Sequence, residues 1–268
     1  MSVLLVENRD GALWVTFNRP EAFNSFCPEM MCAIMDMWEM AERDDSVKLV
    51  VLTGAGDKAF SSGGDLKLTI PLLTGARQPE NEFDHRYMDT PDWPYHVFQR
   101  NRTFSKPVIA AINGAAMAGG IEMMLATDIR IAASNATFAL SEVKVGVIAA
   151  GGSTSRLPRQ LPWCHAMKFL LTGETINAER ALEMGLINTV VEPQDLYDEV
   201  ERLVDQLKRN APLSMQAIKR TALATSGMTL EEAFALEDEE GAAVFRTQDA
   251  LEGPRAFAEK RQPKYVGR

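Results

Sequence analysis

Two glutamates, Glu122 and Glu142, stand twenty positions apart in stretches otherwise dominated by apolar and small residues. Glu122 lies in Met117-Ala-Gly-Gly-Ile-Glu-Met-Met-Leu-Ala126, behind a Gly-Gly pair and ahead of four apolar residues. Glu142 lies in Thr137-Phe-Ala-Leu-Ser-Glu-Val-Lys-Val-Gly146, at the end of a strand-like segment. A carboxylate among apolar residues loses hydration, so its proton affinity rises toward the range useful for acid–base chemistry. Two of them converging on one pocket could move protons on and off a small substrate. Each also has a structural alternative. Acidic residues favour a first helical turn for electrostatic reasons alone, and Glu142 could be a solvated residue after a strand.

Two glycine loops accompany the glutamates. In Ser61-Ser-Gly-Gly-Asp65, glycine at 63 and 64 lets a ligand approach the backbone, so an N–H there can donate to an oxygen. The plain alternative is a turn in which Asp65 caps a helix starting near Leu66. Ala118-Gly-Gly120 opens a helix whose first amides are unpaired donors at the positive end of the dipole. Two such donors meeting on one oxygen make an oxyanion hole.

Other motifs fail on context. Gly54-Ala-Gly-Asp-Lys-Ala59 follows an apolar strand like a dinucleotide fingerprint, but the glycines of Phe60-Ser-Ser-Gly-Gly-Asp65 interrupt the helix that fingerprint requires. Gly151-Gly-Ser-Thr-Ser155 fails G-x-S-x-G because its last residue is serine. His85, His96 and His165 lack metal-ligand spacing, so no metal site is expected.

The elements that must position these residues follow from periodicity. Residues 3–6 and 12–17 read as strands around a glycine turn, and the Met-rich stretch 30–41 as a core-facing helix. Residues 47–53 form a continuous apolar strand, followed by a glycine-rich connection. Residues 68–103 are irregular and read as a partly helical flap over a pocket, or else a solvated surface excursion. Strands follow at 107–112, near 128–132 and at 137–139, and from Arg156 onward the chain is largely helical. Asn177 can cap a helix over 178–184 that Gly185 ends, Leu196, Val200, Leu203, Val204 and Leu207 mark a helix stripe, and Thr229 with Glu232 forms a capping box.

Composition bounds the function. The 268 residues can bury a large core, and a net charge of −9 argues against nucleic acid or an anionic membrane as main partner. Cys27, Cys32 and Cys164 match neither a C-x-x-C motif nor a disulfide framework, which places the expectation in a reducing cytoplasm.

At this point the chain resembles the crotonase superfamily, the enoyl-CoA hydratase/isomerase group. The likeness rests on Phe17-Asn-Arg-Pro-Glu-Ala-Phe-Asn24, Leu52-Thr-Gly-Ala-Gly-Asp-Lys-Ala-Phe-Ser-Ser-Gly-Gly-Asp-Leu-Lys67 and Lys106-Pro-Val-Ile-Ala-Ala-Ile-Asn-Gly114. It continues through Gly119-Gly-Ile-Glu122, Phe138-Ala-Leu-Ser-Glu142, Leu171-Thr-Gly-Glu-Thr-Ile-Asn177 and Phe257-Ala-Glu-Lys-Arg261. The resemblance implies an α/β fold, a spiral of β-β-α turns over residues 1–195, with a helical region over 196–268 for oligomerisation and closure of the coenzyme A site. It implies trimers or dimers of trimers, an acyl-CoA substrate, and no cofactor beyond the coenzyme A of that substrate. A thioester oxygen would sit between the N–H groups of Gly64 and Gly119, with Glu122 as general base on water and Glu142 delivering a proton to the α-carbon.

Ala22, Lys58, Ser62, Leu66 and Lys67 match coenzyme A contacts, with Gly64, Asp65 and Gly119 beside them, while Phe257 and Lys260 match a pair that closes a neighbouring subunit's site. Hydration is the leading expectation; a 3,2-enoyl-CoA isomerase or other acyl-CoA lyase, and a non-catalytic acyl-CoA- or RNA-binding relative, are its alternatives. Three departures stand out: Glu21 at an often basic position, Ala149-Ala150 where hydratases usually read Pro-Gly, and a long flap. The flap's aromatics, Phe83, Tyr87, Trp93, Tyr95 and Phe98, could line a pocket for a bulky acyl group.

Overall fold

The computed structural model describes residues 2–100 and 104–268. The chain opens with a hairpin, β1 (Leu4–Arg9) and β2 (Ala12–Phe17), whose two-residue turn holds both Asp10 and Gly11 at positive φ. That turn geometry matches the right-handed twist of the paired strands. Helix α1 (Pro28–Arg43) follows, then β3 (Leu49–Gly54) and β4 (Ala59–Ser61). Three short helices, α2 (Ile70–Leu73), α3 (Glu82–Met88) and α4 (Trp93–Val97), occupy the flap.

Next come β5 (Val108–Ile112), β6 (Ala115–Met117), α5 (Gly119–Met124), β7 (Ile129–Ala133) and β8 (Thr137–Ala139). Helices α6 (Ser153–Gln160) and α7 (Trp163–Thr172) lead to β9 (Ile176–Asn177), α8 (Ala178–Glu183) and β10 (Thr189–Val191). Four helices finish the chain: α9 (Leu196–Lys208), α10 (Pro212–Ala224), α11 (Leu230–Val244) and α12 (Gln248–Ala258).

The strands form two sheets, ordered β1-β2-β3-β5-β7-β10 and β4-β6-β8-β9. The pairs β3/β4, β5/β6 and β7/β8 each send one strand to each sheet, so the chain advances as a spiral of parallel neighbours. This is the spiral architecture expected, with a helical C-terminal region. Both faces of the central strands β3 and β5 are buried, which explains their unbroken apolar runs. Val50, Leu52, Val108, Ala110 and Ile112 point into the main core with Met30, Ile34 and Trp38 of α1. Leu49, Val51, Ile109, Ala111 and Ile131 point the other way, against Leu196, Val200 and Val204 of α9. The alternation comes from the two-residue period of a strand. Helix α9, the first of the C-terminal helices, thus shares a core with the sheet. The caps foreseen on α8 and α11 are present, with Asn177 accepting from the Arg180 amide and a reciprocal Thr229–Glu232 box.

The flap departs from the reading as a solvated excursion. Leu72, Tyr87, Val97 and Phe98 are buried in the main core, the Trp38 indole donates to the Val97 carbonyl at 3.1 Å, and Arg86 pairs with Asp36 of α1. Aromatic burial outweighs the local irregularity. Residues 101–103, its last positions, lie outside the described residues. Four short strands, β4, β6, β9 and β10, run two or three residues each and went unread. Among the described residues no helix is long and apolar enough to cross a membrane.

Candidate active site

The loop after β4 is pinned on every side. Ser61 Oγ donates to the Asn24 carbonyl at 2.8 Å and accepts from the Gly63 amide at 3.1 Å. Phe26 brackets Gly64: its amide donates to the Gly63 carbonyl at 2.7 Å, and its carbonyl accepts from the Asp65 amide at 3.1 Å. Gly63 has φ +86, and a Cβ there would lie 2.6 Å from the Gly119 nitrogen, so only glycine fits.

The second loop meets the first at that point. Ala118 sits at φ 50 and ψ −121, a strained conformation for a residue with a Cβ, held by its amide bond to the Ala139 carbonyl at 2.9 Å. The bend starts α5 with Gly119 against the other loop: a Cβ on Gly119 would lie 3.5 Å from the Gly64 nitrogen. Among the described residues, neither the Gly64 nor the Gly119 N–H has a backbone acceptor. Two unpaired donors therefore stand side by side.

Asp65 has another task. Its carboxylate pairs with Arg19 at 2.8 Å, accepts from the Ser25 hydroxyl at 3.1 Å, and accepts from the Lys67 and Leu68 amides at 2.9 and 3.0 Å. Burial works to raise its pKa, but these amides and the Arg19 guanidinium outweigh it, and the group lies below its ordinary range. With its oxygens committed inside the protein, Asp65 braces the Gly64 loop and caps the turn that leads to α2.

Glu122 and Glu142 come together here. Glu122, in the first turn of α5, is 5 % exposed. Its Oε1 accepts from the Ser153 amide at 3.2 Å and the Ser153 hydroxyl at 3.0 Å. Burial raises its pKa, and these bonds, with the nearby Gly151 and Gly152 amides, act against that rise. Glu142 sits in a single 3-10 turn, Ser141–Val145, rather than in solvent. Burial pushes it up to about 7, its own amide opposes this, and the charge of Glu122 adds to the rise. Its Oε2 is buried and has no partner among the described residues. Such a group needs a proton or a ligand.

The surroundings are apolar on one side. Phe98 of the flap reaches both Gly119 and Gly151, with ring atoms 3.5 and 2.5 Å from where a Cβ would stand on each. Of the other flap aromatics, Tyr87 is buried and packs against Trp93 with centroids 5.2 Å apart, Phe83 packs on the core, and Tyr95 is exposed beside Arg100. Phe98 thus packs against the glycines of the site. Ala149 is buried and its carbonyl accepts from the Thr154 hydroxyl, while the Ala150 carbonyl accepts from Arg100.

The remaining contact residues form a rim. Ala22 ends a 3-10 turn next to Phe23, whose carbonyl accepts from the Ser62 amide at 2.9 Å, and Leu66 and Lys67 stand exposed on the same loop. Lys58 is exposed on the neighbouring loop before β4. Phe257, 86 % exposed, and Lys260 lie at the end of α12 and are not brought to this rim by any described contact within the chain. Among the described residues no cluster of His, Cys, Asp and Glu could hold a metal ion. Ser153, Gly151 and Arg19 are the site residues that sequence reasoning missed. The signal available was Gly151-Gly-Ser-Thr-Ser155 itself, a glycine pair at a helix start, where a carboxylate finds amide donors.

A parallel-strand spiral thus brings two unpaired loop amides together with one buried and one half-buried carboxylate. The chain belongs to the enoyl-CoA hydratase/isomerase family, whose model matches residues 7–268. It is 40 % identical over 264 residues to an enoyl-CoA hydratase of Mycobacterium tuberculosis, covering 98 % of this chain and 96 % of that protein. It is equally 40 % identical over 259 residues to the (E)-benzylidenesuccinyl-CoA hydratase of Thauera aromatica, covering 95 % of each. The crystal structure of enoyl-CoA hydratase from Bacillus anthracis superposes with a TM-score of 0.90 at 30 % identity, covering 99 % of this chain and 100 % of that one.

Proposed function

We propose that the protein is an enoyl-CoA hydratase that adds water reversibly, and syn, across a 2-enoyl-CoA thioester. The observation that carries this reading is the pair of glutamates, one buried and one half-buried, in unequal environments beside two unpaired amides. Glu122 accepts two hydrogen bonds, which favour its charged form. Glu142 accepts none at Oε2, and burial moves it to about 7. Environments that separate two carboxylates assign base and acid between them.

Hydration then runs as follows. The thioester oxygen accepts from the Gly64 and Gly119 amides. Glu122 takes a proton from water as the water oxygen bonds to the β-carbon, and the enolate charge collects on the thioester oxygen. Fixed donors stabilise that charge without reorganising; losing one from such a hole typically costs about 3–4 kcal/mol. Protonated Glu142 then delivers its proton to the α-carbon. Coenzyme A enters as part of the substrate, with Lys58, Lys67 and Lys260 supplying local positive charge. Assembly as a trimer or dimer of trimers fits the apolar cleft of about 540 Å³ between α10 and α11, where Leu230, Phe234 and Phe245 are exposed. It would also bring Phe257 and Lys260 to a neighbour's site.

The test is loss of conjugated-thioester absorbance with crotonyl-CoA, beside Glu122→Gln and Glu142→Gln. Either substitution is expected to lower hydration by at least roughly a hundredfold. Near-wild-type rates in the Glu122 variant would sink the two-carboxylate mechanism, and turnover of 3-enoyl-CoA alone would make the protein an isomerase.

A further inference from the structure

The segment Gly151-Gly-Ser-Thr-Ser155 carries no nucleophile elbow, yet it is built around a carboxylate. Gly152 has φ +133, a conformation that residues with a Cβ rarely adopt, and it brings the chain into α6 with Ser153 as the first helical residue. A Cβ on Gly151 would stand 2.4 Å from Oε2 of Glu122, so the glycine leaves room for that side chain. Ser153 is fully buried, and both its amide and its hydroxyl reach Oε1 of Glu122, thirty-one positions earlier in the chain. Two donors from one residue on one oxygen fix the carboxylate rotamer and distinguish its two oxygens. Oε2 is not bonded by Ser153; it lies beside Gly151 and Phe98, with the Gly151 and Gly152 amides close to the carboxylate.

We propose that Ser153 is a positioning residue for Glu122, holding Oε1 so that Oε2 is the oxygen presented to the reacting water. The inference rests on the hydratase reading and adds a residue to it. As the water oxygen bonds to the β-carbon, its proton passes to Oε2, while Oε1 keeps its two bonds to Ser153. Those bonds also favour the ionised carboxylate, which the base must be when water arrives. Few other charges act on Glu122. Glu142 faces it across the site, Arg100 and Arg156 lie against Gly152, the flap presents the uncharged Phe98, and α5 carries no second titratable group.

The experiment is the pH profile of kcat/KM for crotonyl-CoA hydration in wild type, Ser153→Ala and Ser153→Cys, with Glu122→Gln and Glu142→Gln measured alongside. Loss of one hydrogen bond to a charged group is expected to move the acid limb up by about one pH unit, about tenfold in rate on that limb. The loss is expected in kcat rather than KM and should recover as pH rises, with the cysteine variant, a weaker donor, in between. If the alanine variant does not fold, the cysteine variant reads a smaller shift in the same direction. An unmoved acid limb together with an inactive Glu122→Gln overturns the role of Ser153 and leaves the hydratase reading intact. Full hydration by both glutamine variants overturns that reading instead.

Discussion

Replacing Gly151 with alanine tests whether the placement of Glu122 controls the rate. Gly151 does not have positive φ, so the backbone accepts alanine and the effect must come from the added methyl. That methyl would lie 2.4 Å from Oε2 of Glu122 and 2.5 and 2.6 Å from two ring carbons of Phe98, where ordinary contact begins at 3.4 Å. Something must retreat by about 1 Å. Phe98 is 2 % exposed and packs between Phe26 and Trp93, with centroids 6.2 and 6.0 Å away, so the ring has little room. The carboxylate is the end of a flexible side chain and moves instead, which stretches its 3.0 Å bond from the Ser153 hydroxyl beyond hydrogen-bond range. A misplacement of about 1 Å at a reacting group can cost about a hundredfold, and overpacking typically costs about 1–3 kcal/mol. Hydration of crotonyl-CoA should therefore lose about a hundredfold in kcat with KM little changed, while thermal unfolding still shows a cooperative fold. A variant within threefold of wild-type kcat would refute the claim that Oε2 must stand where it does.

The position of Glu142 near 7 has two consequences. As proton donor it must be protonated, so kcat/KM for hydration should fall about tenfold per pH unit above about 7; a profile flat to pH 9 would remove it from that role. Its folded pKa exceeds the ordinary 4.5, so the folded state binds more protons, and wild-type stability is lost as pH rises from about 4.5 through about 7. Glu142→Gln escapes that loss and should be the more stable protein at pH 8, by up to about 2 kcal/mol after allowing for partial exposure, with a smaller gap at pH 5.5 in urea titrations. At the Gly64 loop, Asp65→Ala strands an Arg19 guanidinium whose side chain is only 15 % exposed and frees two amides. The expected cost is about 3–5 kcal/mol by denaturant unfolding, with a fall in kcat as Gly64 loosens; unchanged stability would show the pair to be dispensable.

Local signals carried much of the fold. The hairpin strand 12–17, the α8 and α11 caps and the α9 stripe could be read because each depends on residues within one or two turns of one another. The flap left two readings open because its order comes from distant partners: Tyr87 and Phe98 are buried against a core assembled elsewhere, and Trp38 binds a carbonyl fifty-nine positions away. The short strands β4, β6, β9 and β10 are too brief to show a period of two, and three of them, β4, β6 and β9, make the spiral's second sheet with β8. At the site, the two glycine loops were visible because glycine marks unusual backbone. The pairing of Asp65 with Arg19, forty-six positions earlier, left no local signal.

The glutamates show most clearly what residue identity alone leaves open. Both lie in apolar sequence, and desolvation alone would raise both, leaving two weak acids and no base. What separates them is the segment from Gly151 to Ser153, which supplies donors to Glu122 and none to the unpaired oxygen of Glu142. In the proposed mechanism the base is therefore specified by a loop that carries no titratable group of its own. Its two glycines make room for the carboxylate and aim the chain, and its serine then binds one oxygen twice. A substitution in that loop can alter the division of labour between the glutamates while leaving both in place, so retention of Glu122 and Glu142 is a weaker guarantee of hydration than retention of the cradle that makes them unequal.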